Sequence, residues 1–207
     1  TKDVQALAAA LSRLMKDESK AGPSKQKASK KKKNKSRAGR GQGTAEIRFS
    51  RTELVADVTI PATKSITGEV AVHPDSAPIL KKLGAAFDRC RWERVQFYWV
   101  SAVSAMTSGN VVMGVDWDST PKTNPTQADV SAYAPSAIIP LRDSTQSSPL
   151  RLPTDKLRGR NWYEPYAQTD KSSKQPAVLV YSASGGEAIL AGHIMMTYTV
   201  VLAGPHA

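Results

Sequence analysis

The stretch that most limits what this chain can fold into runs from Trp92 to Asp118, entered through Arg91. Val95, Phe97, Trp99 and Val103 are apolar, with Arg94, Gln96 and Ser104 among the polar residues between them. A period of two sets one face of a strand on a core and turns the other outward. After Thr107, Ser108 and Gly109 the alternation resumes with Val111, Met113, Val115 and Trp117, so that Asn110, Asp116 and Asp118 share the opposite face. The pattern predicts two long strands joined by a short glycine-containing turn. Such an antiparallel hairpin points to an all-β protein rather than a nucleotide-binding α/β fold.

Charge divides the chain in two. The formal net charge is +11, but residues 1–43 carry thirteen Lys and Arg against three acids, and residues 44–207 carry sixteen against fifteen. A nearly neutral globular part behind a basic arm is an arrangement suited to holding a polyanion. The 207 residues show no fixed-period repeat, and one core in residues 44–207 is the simplest reading. Cys90 is the single cysteine, which rules out an internal disulfide and a cysteine-based zinc site within one chain and suits a reducing compartment. No apolar run reaches membrane-spanning length and no secretory signal is evident, so no stable membrane insertion is expected.

Val4, Leu7, Leu11, Leu14 and Met15 fall at helical spacing among alanines, predicting a short amphipathic helix over residues 3–15. Its apolar stripe needs a partner: its own globular part, a second copy or a membrane surface. From Ser19 to Gly43 there are ten basic residues, no acid and no large apolar side chain. Such a composition cannot offset the entropy of ordering, and disorder is expected when the arm is free. Its Lys20, Lys25, Lys27, Lys30, Lys31, Lys32, Lys33, Lys35, Arg37 and Arg40 are candidate RNA-binding residues, acting by charge because no aromatic residue is present for base stacking. A localisation tract or a solvated tail is the alternative. Gly39, Gly41 and Gly43 lack the strand and helix of a dinucleotide loop.

Beyond Ala45, short alternating sets bounded by turn residues predict strands: Ile47 and Phe49; Leu54, Ala56, Val58 and Ile60; Ile66 to Val72. Ser76, Pro78, Ile79, Leu80, Leu83 and Phe87 predict one inserted helix, and residues 124–130 a second short one. Ala137 to Pro140 reads as a strand end, and residues 141–175 as long loops with brief strands. Ala177 to Tyr181, a Ser184-Gly185-Gly186-Glu187 turn and His193 to Leu202 predict a second hairpin, with Ile194, Met196, Tyr198, Val200 and Leu202 inward. The sum is an eight-stranded antiparallel jelly-roll sandwich with one or two short inserted helices, preceded by a basic disordered arm.

The order of basic arm, Gly-rich joint, helix ILKKLGAAFDRC, strand RWERVQFYWVSA, TSG turn and NVVMGVDWDSTPKTNP resembles the shell domain of capsid proteins from small icosahedral positive-strand RNA viruses. Tombusvirus-like and sobemovirus-like plant viruses resemble it most, and nodaviruses more loosely. The resemblance is strongest over residues 79–125. It implies a coat protein of the virion, assembled in the host cytoplasm, whose many copies close into a T=3-type shell around single-stranded genomic RNA. The chain's end just after the last strand would make it a shell-only form.

By the same resemblance, Asp116 and Asp118 match an Asp-x-Asp that binds calcium at a subunit contact with help from the neighbour. The residues alone leave open a pair of solvated acids, since calcium takes six to eight oxygens. An EF-hand is excluded, because the Gly and Glu of its loop are missing. No catalytic residues are expected: His73, His193 and His206 lie in dissimilar surroundings, Ser182 to Gly186 is no nucleophile elbow, and Cys90 is expected to be partly buried. The tryptophans show no basic interleaving in sequence. Arg89, Arg91 and Arg94 suit either an extension of the basic surface or salt bridges between subunits. A cellular RNA-binding or ribosome-associated protein with a basic tail is the alternative function.

Overall fold

A computed structural model describes residues 46–118, 123–167 and 170–205. Eight strands form two four-stranded antiparallel sheets. Sheet A has the order β1 (Glu46–Ile60), β8 (Ile189–Pro205), β3 (Phe87–Ser101), β6 (Leu150–Arg151). Sheet B has the order β2 (Ser65–Ala71), β7 (Val178–Gly185), β4 (Gly109–Asp116), β5 (Ser136–Pro140). The jelly-roll sandwich expected from the alternation is present, and the expected brevity of strands over residues 141–175 holds, since β6 is two residues long.

Both expected hairpins are corrected. β3 lies in sheet A and β4 in sheet B, and β7 and β8 are divided in the same way. The Gly-containing links after Ser101 and after Gly185 are therefore corners that carry the chain from one sheet to the other. Alternation shows which face of a strand is buried but not which neighbour it pairs with, and here β3 and β4, like β7 and β8, are split across the core, while β4 pairs with β5. Gly109 opens β4 at a φ of +129°, and a Cβ there would collide with the Ser184 carbonyl. That corner requires glycine.

Between the sheets, Val58 and Ile60 of β1, Trp92, Phe97 and Trp99 of β3 and Ile194 to Leu202 of β8 meet Val111, Met113 and Val115 of β4 and Leu179 and Tyr181 of β7. The inward set expected in β8, Ile194, Met196, Tyr198, Val200 and Leu202, is fully buried. Each such side chain contributes roughly 1.5–3 kcal/mol on leaving water. Outward, Thr197 and Thr199 hydrogen-bond Thr52 and Ser50 at 2.7 and 2.9 Å.

Of three register shifts in the long strands, two set the phase of β3 and of the middle of β1. In β3 the register slips between Trp92 and Arg94, so Cys90 and Trp92 share the core face with Val95, Phe97 and Trp99. In β1 it slips between Leu54 and Ala56. Leu54, expected inward, is consequently exposed, and Glu53 is buried. The strand expected in two pieces before Pro61 is one of fifteen residues.

The inserted helix is α1 (Pro78–Gly84). Leu80 is buried, Ile79 is exposed, and Phe87 already belongs to β3. Ser76, the expected cap, instead ends a 3-10 turn over Pro74–Ser76. The second expected helix is α2 (Gln127–Ser131), held by a reciprocal capping box between Thr126 and Asp129. Its Val130 covers Val112, Val178 and Val180 on the outer face of sheet B. Two further single-turn helices, α3 (Thr154–Leu157) and α4 (Lys171–Lys174), punctuate the long loop region. None of the helices is long and apolar enough to cross a membrane among the described residues.

Candidate functional site

The ten candidate RNA-binding residues from Lys20 to Arg40, the amphipathic helix and His206 lie outside the described residues. Within them, the sharpest sequence constellation falls where β4 ends. Asp116 is its last residue and half-buried; Asp118 lies beyond it and is exposed. The Asp118 amide donates to Asp116 Oδ1 at 2.8 Å, closing a turn on the carboxylate. Asp118 thus follows Asp116 through a turn rather than sharing a strand face with it, as the alternation had suggested. Between them Trp117 donates its indole N–H to the Ala134 carbonyl at 2.7 Å. No group of three or more His, Cys, Asp or Glu side chains that could hold a metal exists among the described residues. Two carboxylates fall far short of the six to eight oxygens that calcium takes.

Asn110 lies on the outward face as expected and anchors a polar triad there. Gln127 Nε2 and Ser184 Oγ donate to Asn110 Oδ1 at 3.1 and 2.9 Å, tying α2 to β4 and β7.

The histidines sit in unrelated settings. His193 Nδ1 lies 2.6 Å from Asp57 Oδ1 across the β1–β8 pairing. His73 accepts from the Asp75 amide at 3.1 Å and contacts the Pro165 carbonyl at 3.2 Å, a turn-capping role. Cys90 is wholly rather than partly buried, and that burial pushes its thiol up to about 12, so it stays protonated and unreactive.

Two features escaped the sequence. Buried Glu53 accepts from the Ile79 and Leu80 amides at 2.7 and 3.3 Å and from the Tyr198 hydroxyl. It supplies from β1 the cap that Ala77, at the helix entrance, has no side chain to give. Burial, and then the bond to Glu53, push the Tyr198 phenol above its ordinary range. The change of phase between Ile47/Phe49 and Ala56/Val58/Ile60 was the available signal, because it requires a bulge that turns one residue of β1 inward. The second feature is cation pairing of tryptophans. The Arg91 guanidinium stands 4.6 Å from the Trp162 ring centre and the Lys156 ammonium 5.0 Å from that of Trp117. These pairs join residues distant in sequence, so interleaving along the chain could not reveal them. Arg91 also meets Glu46 at 3.7 Å, and Arg48 meets Glu93 at 2.8 Å, both within one chain.

A fold of this kind with a basic leader can be compared with known proteins. The family model described as viral coat protein (S domain) matches residues 20–207, which takes in most of the basic run as well as both sheets. The chain belongs to the viral coat protein family. Its shell domain is shared with the tobacco necrosis virus structure at a TM-score of 0.68 and 15% identity, over 79% of this chain and 98% of that one. The cocksfoot mottle virus structure matches at 0.66 and 15%, over 90% and 97%. Cucumber necrosis virus matches at 0.68 and 22%, over 78% of this chain but only 57% of its own. At these identities the structures establish the fold. No curated relative matches the sequence directly. The chain is thus a capsid protein, a component of the virion, and the cellular RNA-binding alternative is not favoured.

Proposed function

We propose that many copies of this coat protein close into an icosahedral, T=3-type shell in the host cytoplasm, and that residues 1–43 package single-stranded positive-sense RNA inside it. The observation that carries the reading is the division of charge: thirteen basic residues against three acids before residue 44, in a chain otherwise close to neutral. Neutralising phosphates releases condensed counterions, so packaging is strongly salt-dependent and largely indifferent to sequence. Lys20, Lys25, Lys27, Lys30 to Lys33, Lys35, Arg37 and Arg40 do this work. The sandwich supplies the shell wall.

Asp116 and Asp118 fit a calcium site only as a partial one, completed by oxygens of a neighbouring copy. Placed there, the cation would neutralise two neighbouring carboxylates of one chain and tie them to the oxygens of the next.

The test expresses the full chain beside a variant lacking residues 1–43. The full chain yields particles whose RNA resists nuclease. The deletion yields a folded protein that makes smaller, RNA-poor or aberrant particles. Unaltered RNA-filled particles from the deletion would sink the arm assignment.

A further inference from the structure

The outer face of sheet A gathers arginines that are scattered in sequence. Successive cross-strand rows read Glu46, Ala203 and Arg89; Arg48, Val201 and Arg91; Ser50, Thr199 and Arg94; then Thr52, Thr197, Gln96 and Arg151. Directly paired residues share a face, so Arg48, Arg89, Arg91, Arg94 and Arg151 project from one side of the sheet. The bulge after Trp92 is what puts Arg94 there with Arg91, three residues away, instead of on the core side.

The cations are all arginine, and the acids among them are Glu46 and the bulge residue Glu93. Glu93 is engaged by Arg48 at 2.8 Å and Glu46 by Arg91 at a looser 3.7 Å. Arg89, Arg94 and Arg151 are exposed, and Arg94 is oriented by a 2.9 Å bond to Gln96. The spacing suits a polyanion: adjacent strands lie about 4.8 Å apart and alternate residues of one strand about 6.5–7 Å apart. The longer spacing is close to that of successive phosphates on an extended single strand.

Trp162 adds a flat surface. Tyr163 pairs with Cys90 at the open edge of β3, with reciprocal backbone bonds of 2.8 Å, and this brings Trp162 beneath the Arg91 guanidinium.

We propose that this face is a second RNA-binding surface, built into the shell domain itself. Here Arg89, Arg94 and Arg151 hold the phosphates of a single strand, and Arg91 on Trp162 forms an edge against which the strand lies. The proposal rests on the RNA-packaging reading and deepens it. Arginine forks grip phosphate oxygens in pairs, so the surface fixes the path of the strand where a lysine tail supplies only charge.

The experiment measures binding of the full chain to a fluorescein-labelled uridine homopolymer by anisotropy across a salt series. The variant R89Q/R94Q/R151Q removes three phosphate contacts and leaves both intrachain ion pairs in place. At about 0.7 per phosphate, the slope of log K against log salt falls by about 2, and affinity at ~0.1 M salt falls about a hundredfold. The single variants R89Q and R94Q each lower the slope by about 0.7.

The variant K81Q/K82Q/K171Q, which removes equal charge elsewhere on the domain, leaves the slope nearly unchanged. If R89Q/R94Q/R151Q and this control give the same slope, the proposal is overturned. A variant with Lys30 to Lys33 changed to Gln separates the two readings. A lowered slope there, with no effect of the arginine variant, keeps the arm and removes the face. No effect of either removes RNA packaging itself. Lost particle assembly with RNA affinity intact would make the face a contact between protein copies, and would equally overturn the proposal.

Discussion

Removing the Glu53 carboxylate should unlock a junction of three elements. In Glu53→Ala the first turn of α1 loses an acceptor for two amides, which for a cap costs about 1 kcal/mol. The Tyr198 hydroxyl, buried in β8, loses its acceptor as well, and a buried group left unsatisfied costs ~1–3 kcal/mol. These losses total about 2–4 kcal/mol, and relief from burying a carboxylate offsets part of them, leaving a net loss of about 1–3 kcal/mol. For a domain of this size that lowers Tm by roughly 2–12 °C.

Urea unfolding of dissociated full-length chain, followed by tryptophan fluorescence, gives the number. The decisive quantity is the double-mutant cycle with Tyr198→Phe. Once the hydroxyl is gone, Glu53→Ala should cost about 1–2 kcal/mol less. A coupling below ~0.5 kcal/mol, or a loss below ~1 kcal/mol in the single variant, refutes the junction.

Cys90 makes stability pH-dependent. A thiol ordinarily ionises near 9.0 and this one only near about 12, so the unfolded chain releases its proton first. Stability present below pH 9 is lost as pH rises toward 12, by up to about 1.4 kcal/mol per pH unit. Cys90→Ala should reduce the loss around pH 9, where the unfolded chain's tyrosines, ionising near 10, contribute less than the thiol, and an unchanged slope would count against the burial. The two fully buried tryptophans should differ: Trp99 Nε1 donates to the Leu141 carbonyl at 3.2 Å, whereas Trp92 Nε1 has no partner among the described residues. Trp99→Phe therefore costs about 1 kcal/mol more than Trp92→Phe in the same unfolding assay, and equal costs would contradict the hydrogen-bond assignment. Changing Asp116 and Asp118 together to Asn should loosen particles as a calcium chelator loosens the parent, seen as slower sedimentation. Chelator sensitivity identical to the parent's removes them from the site.

Much of the sandwich was legible because alternation is a local consequence of the pleat. Val95, Phe97, Trp99, Val111, Met113 and the inward residues of β8 are buried as their spacing requires. Partner choice was not legible, since pairing is decided by how the corners after Ser101 and Gly185 turn, and a glycine suits a hairpin and a sheet-to-sheet corner alike. Phase changes at Leu54/Val55 and at Glu93 were visible as two alternations out of step. Read as bulges, they would have turned Glu53 and Trp92 inward in advance. For the site, the strand-end acids were found by type and spacing. The arginine face was only half visible: Arg89, Arg91 and Arg94 are close in the chain, but Arg48, Arg151 and Trp162 reach them only through the β8 and β6 pairings and the Cys90–Tyr163 bridge.

The central claim is that this coat protein forms a closed shell around nucleic acid. Sedimentation of the purified full chain at low salt, with absorbance read at both the nucleobase and the protein maxima, tests it most directly. The account predicts one fast, homogeneous boundary dominated by nucleobase absorbance. A slow boundary of monomer size that stays slow after RNA is added would contradict it.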